Sequence, residues 1–432
     1  MDLAALGDLR NPPVTMRCNG ASGVADNPVT LMTRNARRLL IVAFLLTGLM
    51  CAAAQSSDVP VKYRDLYAEL EQSLAAAEQR LPAAVPDSAS PVLAVELTAA
   101  NANRGPVLLA PRTRAGVKAN LDAFQKLGVF GVTVAASYPI LAKDFPRSDE
   151  YLDFYRFVVD EARSRHLKIL IKAQDAFTDA QFGQLGARDY YRKLGADGYA
   201  RDKRDMIERI LRELQPDSLT IENEPDTAKK NTGLDFSPDR YIANIRAMLQ
   251  GLDRGKTRIG AGAGSWSPSV YFERLAAETE IDYLDVHVYP VNREFLAARL
   301  DEVAALAKRY HKGLTVGEAW LYKIRESELG RGDFSWGDIY ARDIFAFWAP
   351  LDTRFIDFIG HWARANHADS VSFFWVQYLF GYVKYEPALE AKSAAELQAL
   401  GTQTAVPKIV RQELSPTGEA LQALIARSPA GK

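Results

Sequence analysis

The stretch Thr220-Ile221-Glu222-Asn223-Glu224-Pro225 carries an apolar run into two carboxylates, an amide and a proline. Such groups are costly to desolvate unless paired, so their place at the end of a β-rich run points to a cleft. A second segment, Leu314-Thr315-Val316-Gly317-Glu318-Ala319-Trp320, repeats the pattern: a β-branched run, a glutamate, then an aromatic. Two carboxylates delivered to two strand ends suit acid/base or nucleophile work, provided the fold brings Glu224 and Glu318 together.

The elements that must do so alternate regularly. Eight β-rich runs are expected at Val92–Leu97, Phe130–Ala135, Lys168–Ala173, Ser218–Ile221, Thr257–Ala261, Tyr283–Val288, Gly313–Val316 and Ser370–Val376. Helical patterns separate them, over Arg114–Leu127, Tyr151–Arg165, Asp189–Leu214, Pro238–Leu252, Pro268–Ala277, Arg293–Tyr310 and Ile339–Ala365, and the tail Glu386–Leu424 can supply an eighth. Parallel neighbours need long return connections, so strand-then-helix alternation predicts a parallel sheet. Eight such units make an α/β fold of the (β/α)₈ barrel type, in which chemistry sits at the C-terminal ends of the strands.

Polar and aromatic residues collect at those ends. Asn101, Asn103 and Arg104 follow the first strand, Gln174 and Asp175 the third, Asn223 and Glu224 the fourth, and Trp266 the fifth. His287 and Tyr289 stand at the sixth, Glu318 and Trp320 at the seventh, Trp375 and Tyr378 at the eighth. Either glutamate alone would pass for a surface acid. Strands four and seven face each other across a small barrel mouth, so the two together read as a working pair.

On these residues the sequence resembles the clan A glycoside hydrolases. The resemblance covers about residues 91–385 and rests on the order of short motifs: Asn223-Glu224-Pro225 after strand four, Glu318 at strand seven, His287-Val288-Tyr289 at strand six and Trp375 at strand eight. It implies that Glu224 is the general acid/base, Glu318 the nucleophile, and Asn223 a ligand of the sugar 2-hydroxyl. It further implies that Tyr289 contacts the nucleophile, that His287 lies near the acid/base, and that Trp375 floors the subsite of the sugar being cleaved. The implied function is retaining hydrolysis of β-glycosidic bonds, with a carbohydrate as substrate and no cofactor. The pattern departs in one place: the arginine that many members carry at the end of strand two is missing from Phe130–Leu141, so either Arg104 or Lys172 replaces it or the resemblance is to an unusual family of the clan. That gap also motivates a rival, a catalytically inert barrel that binds glycans.

Retaining chemistry asks two similar glutamates to hold different protonation states, with carboxyl groups about 5–5.5 Å apart. A hydrogen bond from Tyr289 would keep Glu318 ionised, whereas Glu224, drier and near a negative neighbour, would hold its proton. Glu222 either adds a second charge beside Glu224 or turns toward the helix layer. Of the six tryptophans, Trp348 and Trp362 read as packing; Trp266, Trp320, Trp336 and Trp375 follow strand ends, where a flat ring can stack on a sugar.

Other chemistries find less support. Gly260-Ala261-Gly262-Ala263-Gly264 lacks the dinucleotide spacing and reads as close strand packing. The five histidines show no metal-ligand spacing, so no metal is expected, and no serine nucleophile elbow occurs. Across 432 residues, 53 Lys and Arg balance 54 Asp and Glu, which argues against nucleic acid or an anionic membrane as partner. An apolar share of 48% fits a sizeable core.

Ahead of the barrel, residues 1–31 read as a non-native or disordered extension and 32–54 as a signal peptide. Arg34, Arg37 and Arg38 precede the apolar run Leu39–Met50 and a small-residue site at Ala52-Ala53-Ala54. That run is short for a membrane span, so no stable membrane insertion is expected after cleavage. The expectation is a secreted or periplasmic protein, with lipid anchoring through Cys51 disfavoured by the bulky Met50. Cys18 and Cys51 both fall in the removed portion, which predicts no disulfide. Residues 55–90 read as an amphipathic helix over Tyr63–Leu81 followed by a Pro/Ala/Ser linker, and 91–430 as the barrel.

Overall fold

A computed structural model describes residues 59–82, 90–175, 186–289, 299–329 and 335–428. The expected signal peptide, and most of the linker Pro82–Pro91, lie outside the described residues.

Eight parallel strands close into a barrel in sequence order: β1 Val92–Glu96, β2 Gly131–Ala135, β3 Lys168–Lys172, β4 Ser218–Thr220, β5 Arg258–Gly264, β6 Tyr283–Val288, β7 Gly313–Ala319 and β8 Ser370–Phe373. β1 pairs with β8, so the sheet has no free edge. The fold is therefore the (β/α)₈ barrel that the alternation predicts. The strand limits differ most at β5 and β7, which run on through Gly264 and Ala319, and at β8, which stops at Phe373 short of the expected Val376. At β7 the extension draws Glu318 into the sheet.

The outer layer begins with α1 (Arg64–Glu78), ahead of the barrel. It buries Leu66, Leu70 and Leu74 and stacks Tyr67 on Trp348, 5.7 Å between centroids. Its acids Glu71 and Glu78 meet Arg354. Around the barrel follow α2 (Pro111–Leu127), α3 (Ser148–Arg163), α4 (Ala187–Glu213), the short α5 (Pro225–Thr232), α6 (Pro238–Leu249), α7 (Val270–Glu278) and α8 (Arg299–Arg309). Several open with proline at the first turn, where its missing N–H costs nothing. The helix expected over Ile339–Ala365 divides into α9 (Trp336–Arg342) and α10 (Ala349–Ala365). The break falls where Asp343 turns inward to the buried Lys323, 2.9 Å away, and where Trp348 Nε1 donates to the freed Arg342 carbonyl, 2.7 Å. The tail supplies α11 (Ala394–Arg411), opened by a Ser393/Glu396 capping box, and α12 (Pro416–Arg427). Among the described residues no helix is long and apolar enough to cross a membrane.

Glycines on β5 let polar side chains of β6 reach β4 across the barrel interior. Tyr283 passes over Gly260 to set its hydroxyl 2.9 Å from Thr220 Oγ1, and Thr220 in turn donates to Asp285, 2.7 Å. A Cβ at Gly260 would overlap the Tyr283 ring, and one at Gly262 would collide with the backbone carbonyl of Asp285. The Gly/Ala run is thus a close-packing device, as its spacing implies. Gly262→Ala meets backbone that cannot rotate away and should cost about 3 kcal/mol. Urea unfolding would show this as a lower midpoint, and an unchanged midpoint would refute the packing account.

Candidate active site

Glu318 reaches the barrel mouth through an irregularity in the sheet. Val286 pairs with Val316, but His287 pairs with Glu318, so Gly317 is an extra residue in β7. A bulge of this kind re-aims the next side chain. Asp285 holds it in place, its Oδ1 accepting from the Gly317 amide at 2.9 Å, and a Cβ on Gly317 would strike that same carboxylate. Only glycine fits there.

Once inside, Glu318 is 5% exposed and fully engaged. Lys172, at the end of β3, is ion-paired with its Oε1, and Tyr289 donates its hydroxyl to Oε2. His287 Nδ1 stands 3.5 Å from Oε2. Burial would raise the carboxyl, but Lys172, then His287 and the Tyr289 hydroxyl, outweigh it and hold Glu318 below its ordinary range. Lys172 is itself buried and also meets Glu96 Oε2 of β1 at 2.9 Å. Despite the pull of burial, these two carboxylates keep the ammonium above its ordinary value. Of the two candidates for the missing arginine, Lys172 is the one at the carboxylate.

Glu224 stands four residues beyond the end of β4, at the cap of α5, its backbone (φ −146°, ψ 84°) turning into the helix before Pro225. Its side chain is 18% exposed, and its Oε1 lies 2.8 Å from His287 Nδ1. Burial lowers His287, but Glu318, Glu224 and Asp285 reverse that and carry it up to about 9, which favours its charged form. Its Nε2 faces Asp285 Oδ2 at 4.0 Å.

A Glu224 oxygen, His287 nitrogen and Glu318 oxygen lie within 4.8 Å of one another. Donors of these types can hold a divalent cation, but both Glu318 oxygens already face Lys172 and Tyr289. A cation on the Glu318 Oε2 side would have to compete with the Tyr289 hydroxyl and with His287, so the set fits a proton-handling site better than a metal centre.

Glu222 turns away from the mouth. Tyr199 of α4 donates to it, and Lys203 Nζ lies 2.7 Å away, sharing both contacts with Asp175. Burial raises its carboxyl to about 7. Of the two orientations open to Glu222, the structure takes the one toward the helices, where it braces β4 against α4. Asn223, between the two acids, is buried and donates to Gln174 Oε1 at 2.7 Å.

The aromatic residues fall into two groups. Trp266, Tyr289, Tyr322, Trp336, Tyr340 and Trp375 form an arc of ring contacts beside the carboxylates, the tightest being Tyr289 stacked on Tyr322 at 4.3 Å. Trp266 is fixed by its Nε1 donating to Asp226, 2.8 Å. Trp320, expected in the cleft, instead points into the wall: it is 1% exposed, stacks on Tyr378 and has the Lys323 ammonium near its ring. Two residues on, past the end of β7, Tyr322 instead packs against Tyr289 at the mouth. Asn101 is buried after β1, its Oδ1 accepting from the Asn103 amide at 2.9 Å.

Sequence reasoning missed Asp285 and Glu96, which sit inside strands and carry no motif. The only signal was a charged residue within an otherwise apolar β run.

Solved structures share this fold. A GH5_18 from Bifidobacterium longum subsp. longum gives a TM-score of 0.52 at 12% identity, covering 79% of this chain and 80% of that one. A variant of it in complex with Manb1-4GlcNAc gives 0.51 at 12%, covering 79% of each. A GH5_18 from Streptomyces cattleya in complex with GlcNAc gives 0.51 at 14%, covering 80% and 82%. At these identities the likeness is one of fold. No protein-family model and no curated protein matches the chain.

Lys172→Met would leave two buried carboxylates without their cation, which should cost about 3–5 kcal/mol at neutral pH. In the wild type Glu318 lies below its unfolded value, so its contribution is present at neutral pH and lost as pH falls through the folded value. In the variant both carboxyls rise, a cost that vanishes once acid protonates them. The stability gap should therefore close on acidification, and urea titrations at two pH values that kept it constant would contradict this.

Proposed function

We propose that this chain is a secreted retaining β-glycosidase. The observation that carries the reading is the pair of glutamate oxygens within 4.8 Å across the mouth, one of them on a carboxylate held ionised by Lys172 and Tyr289. That spacing suits direct attack, since inversion needs room for a water between wider-set carboxyls.

In this mechanism Glu318 attacks the anomeric carbon while Glu224 gives its proton to the departing oxygen. Glu224 then draws a proton from the water that hydrolyses the glycosyl ester. His287 orients Glu224 through Nδ1, and Tyr289 and Lys172 fix the two oxygens of Glu318. Asn223 and Asn101 are assigned to sugar hydroxyls, Trp266 and Trp375 to the sugar's apolar face. Trp320 is left as wall packing, with Tyr322 in its place. The GH5_18 structures bound to Manb1-4GlcNAc and GlcNAc make β-mannosides and N-acetylglucosaminides the first substrates to try. Secretion rests on the basic-then-apolar sequence before Ala54.

The inert glycan-binding alternative drew its motive from the missing arginine, and Lys172 removes that motive. The two readings separate on aryl β-glycosides, because a binder releases no chromophore. Glu318→Ala should abolish turnover, and added azide should then yield the glycosyl azide of inverted configuration. Azide with Glu224→Ala should yield the retained anomer. Azide products of identical configuration from both variants would overturn the assignment of roles.

A further inference from the structure

A single ammonium, Lys172, lies between two buried carboxyl groups, Glu96 and Glu318, and needs only one of them ionised to balance it. Glu96 is wholly buried, and among the described residues no donor reaches its Oε1. A carboxylate serving only as scaffold would be expected to have both oxygens satisfied. Resting on the proposed function, we infer that Glu96 is a reserve counter-charge, the carboxylate that takes over Lys172 when Glu318 becomes an ester.

The step balances as follows. A Glu318 oxygen bonds to the anomeric carbon as the bond from that carbon to the leaving oxygen breaks. The bonding pair leaves on that oxygen, which takes the Glu224 proton. Glu318, now an ester, no longer neutralises Lys172, and an unpaired ammonium in the barrel interior is strongly disfavoured. Glu96 releases its proton to bulk water and supplies the missing charge; hydrolysis of the ester reverses the exchange. No part need move, since Lys172 already touches both acids. Glu96 is a positioning residue here, not one that meets the substrate.

The surroundings fit a group that can lose a proton on demand. The charged and titratable groups facing Glu96 are Lys172 on β3, Glu318 on β7, His287 on β6 and Tyr155 on α3, whose hydroxyl is committed to the Ala100 and Ala135 carbonyls at 3.0 and 3.1 Å. Burial first, and the Glu318 charge after it, raise Glu96 to about 7 against the pull of Lys172. Removing the Glu318 charge therefore favours ionisation.

Infrared spectra of wild type minus Glu96→Gln isolate the Glu96 carboxyl, and the same difference in a Glu318→Gln background mimics the ester without requiring turnover. The protonated-carboxyl band should titrate near neutrality in the first pair and at least about one pH unit lower in the second. A band at the same pH in both overturns the inference. This arm stands even if the wild type cleaves no glycoside, a result that would remove the proposed function alone.

With an activated aryl β-glycoside, Glu96→Gln keeps the Lys172–Glu318 pair and should melt near the wild type. It should lose about tenfold in kcat/KM and its pre-steady-state burst, because the intermediate is the species left unbalanced. An unchanged burst counts against the hand-over, whereas a merely structural role would lower all rates together. Glu96→Asp, which keeps the charge, should retain the burst, and its loss there would also overturn the inference.

Discussion

A lysine ammonium buried in the middle of a barrel dictates much of what surrounds it. Lys172 has left water altogether, which is tolerable because Glu318 pairs with it from β7, with Glu96 beside it on β1. Those strands lie on either side of β8, with β3 across the interior, so the contact ties distant staves of the barrel together. It also favours one orientation of Glu318, because any other rotamer gives up both the Lys172 and the Tyr289 contact.

That orientation is prepared by backbone as much as by charge. The extra residue at Gly317 turns the next side chain inward, and the turn persists because Asp285 occupies the space where a β-carbon would be. Asp285 is in turn anchored by Thr220, reached across the glycines of β5. The strand carrying the Asn-Glu pair and the strand carrying the opposing glutamate are thus coupled through a polar network inside the barrel. Interiors of this sort tolerate few substitutions, since each group is satisfied by another.

The fold was legible because its signal is periodic and repeated: β-rich runs alternating with helices leave few topologies open. The acid pair was legible because Glu224 and Glu318 stand where apolar runs stop. Glu96 and Asp285 were not, since a lone acid in a strand looks the same whether it faces a helix or a buried lysine. Only the closed barrel, which sets β1 next but one to β3 and puts β7 opposite β3, tells the two apart. Trp320 illustrates the converse difficulty. Sequence places it next to the mouth, but side-chain direction depends on the bulge at Gly317, and the ring went to the wall while Tyr322 took the open side.

The two acids flanking Asn223 show how one backbone can hold opposite tasks a residue apart. Residues that alternate along an extended chain point to opposite faces, yet Glu222 and Glu224 share a parity and should face alike. The strand ends at Thr220, and the chain after it turns toward helix at Glu224. The Glu222 carbonyl still accepts from the Gly262 amide of β5 at 2.8 Å while its side chain reaches Lys203 and Tyr199, whereas Glu224, past that last bond to the sheet, comes forward to His287. A buried acid that braces β4 against α4 sits within two residues of one open to the cleft. Their separation depends on the chain leaving the sheet between them, and Pro225, which cannot donate to a sheet, secures the turn into α5.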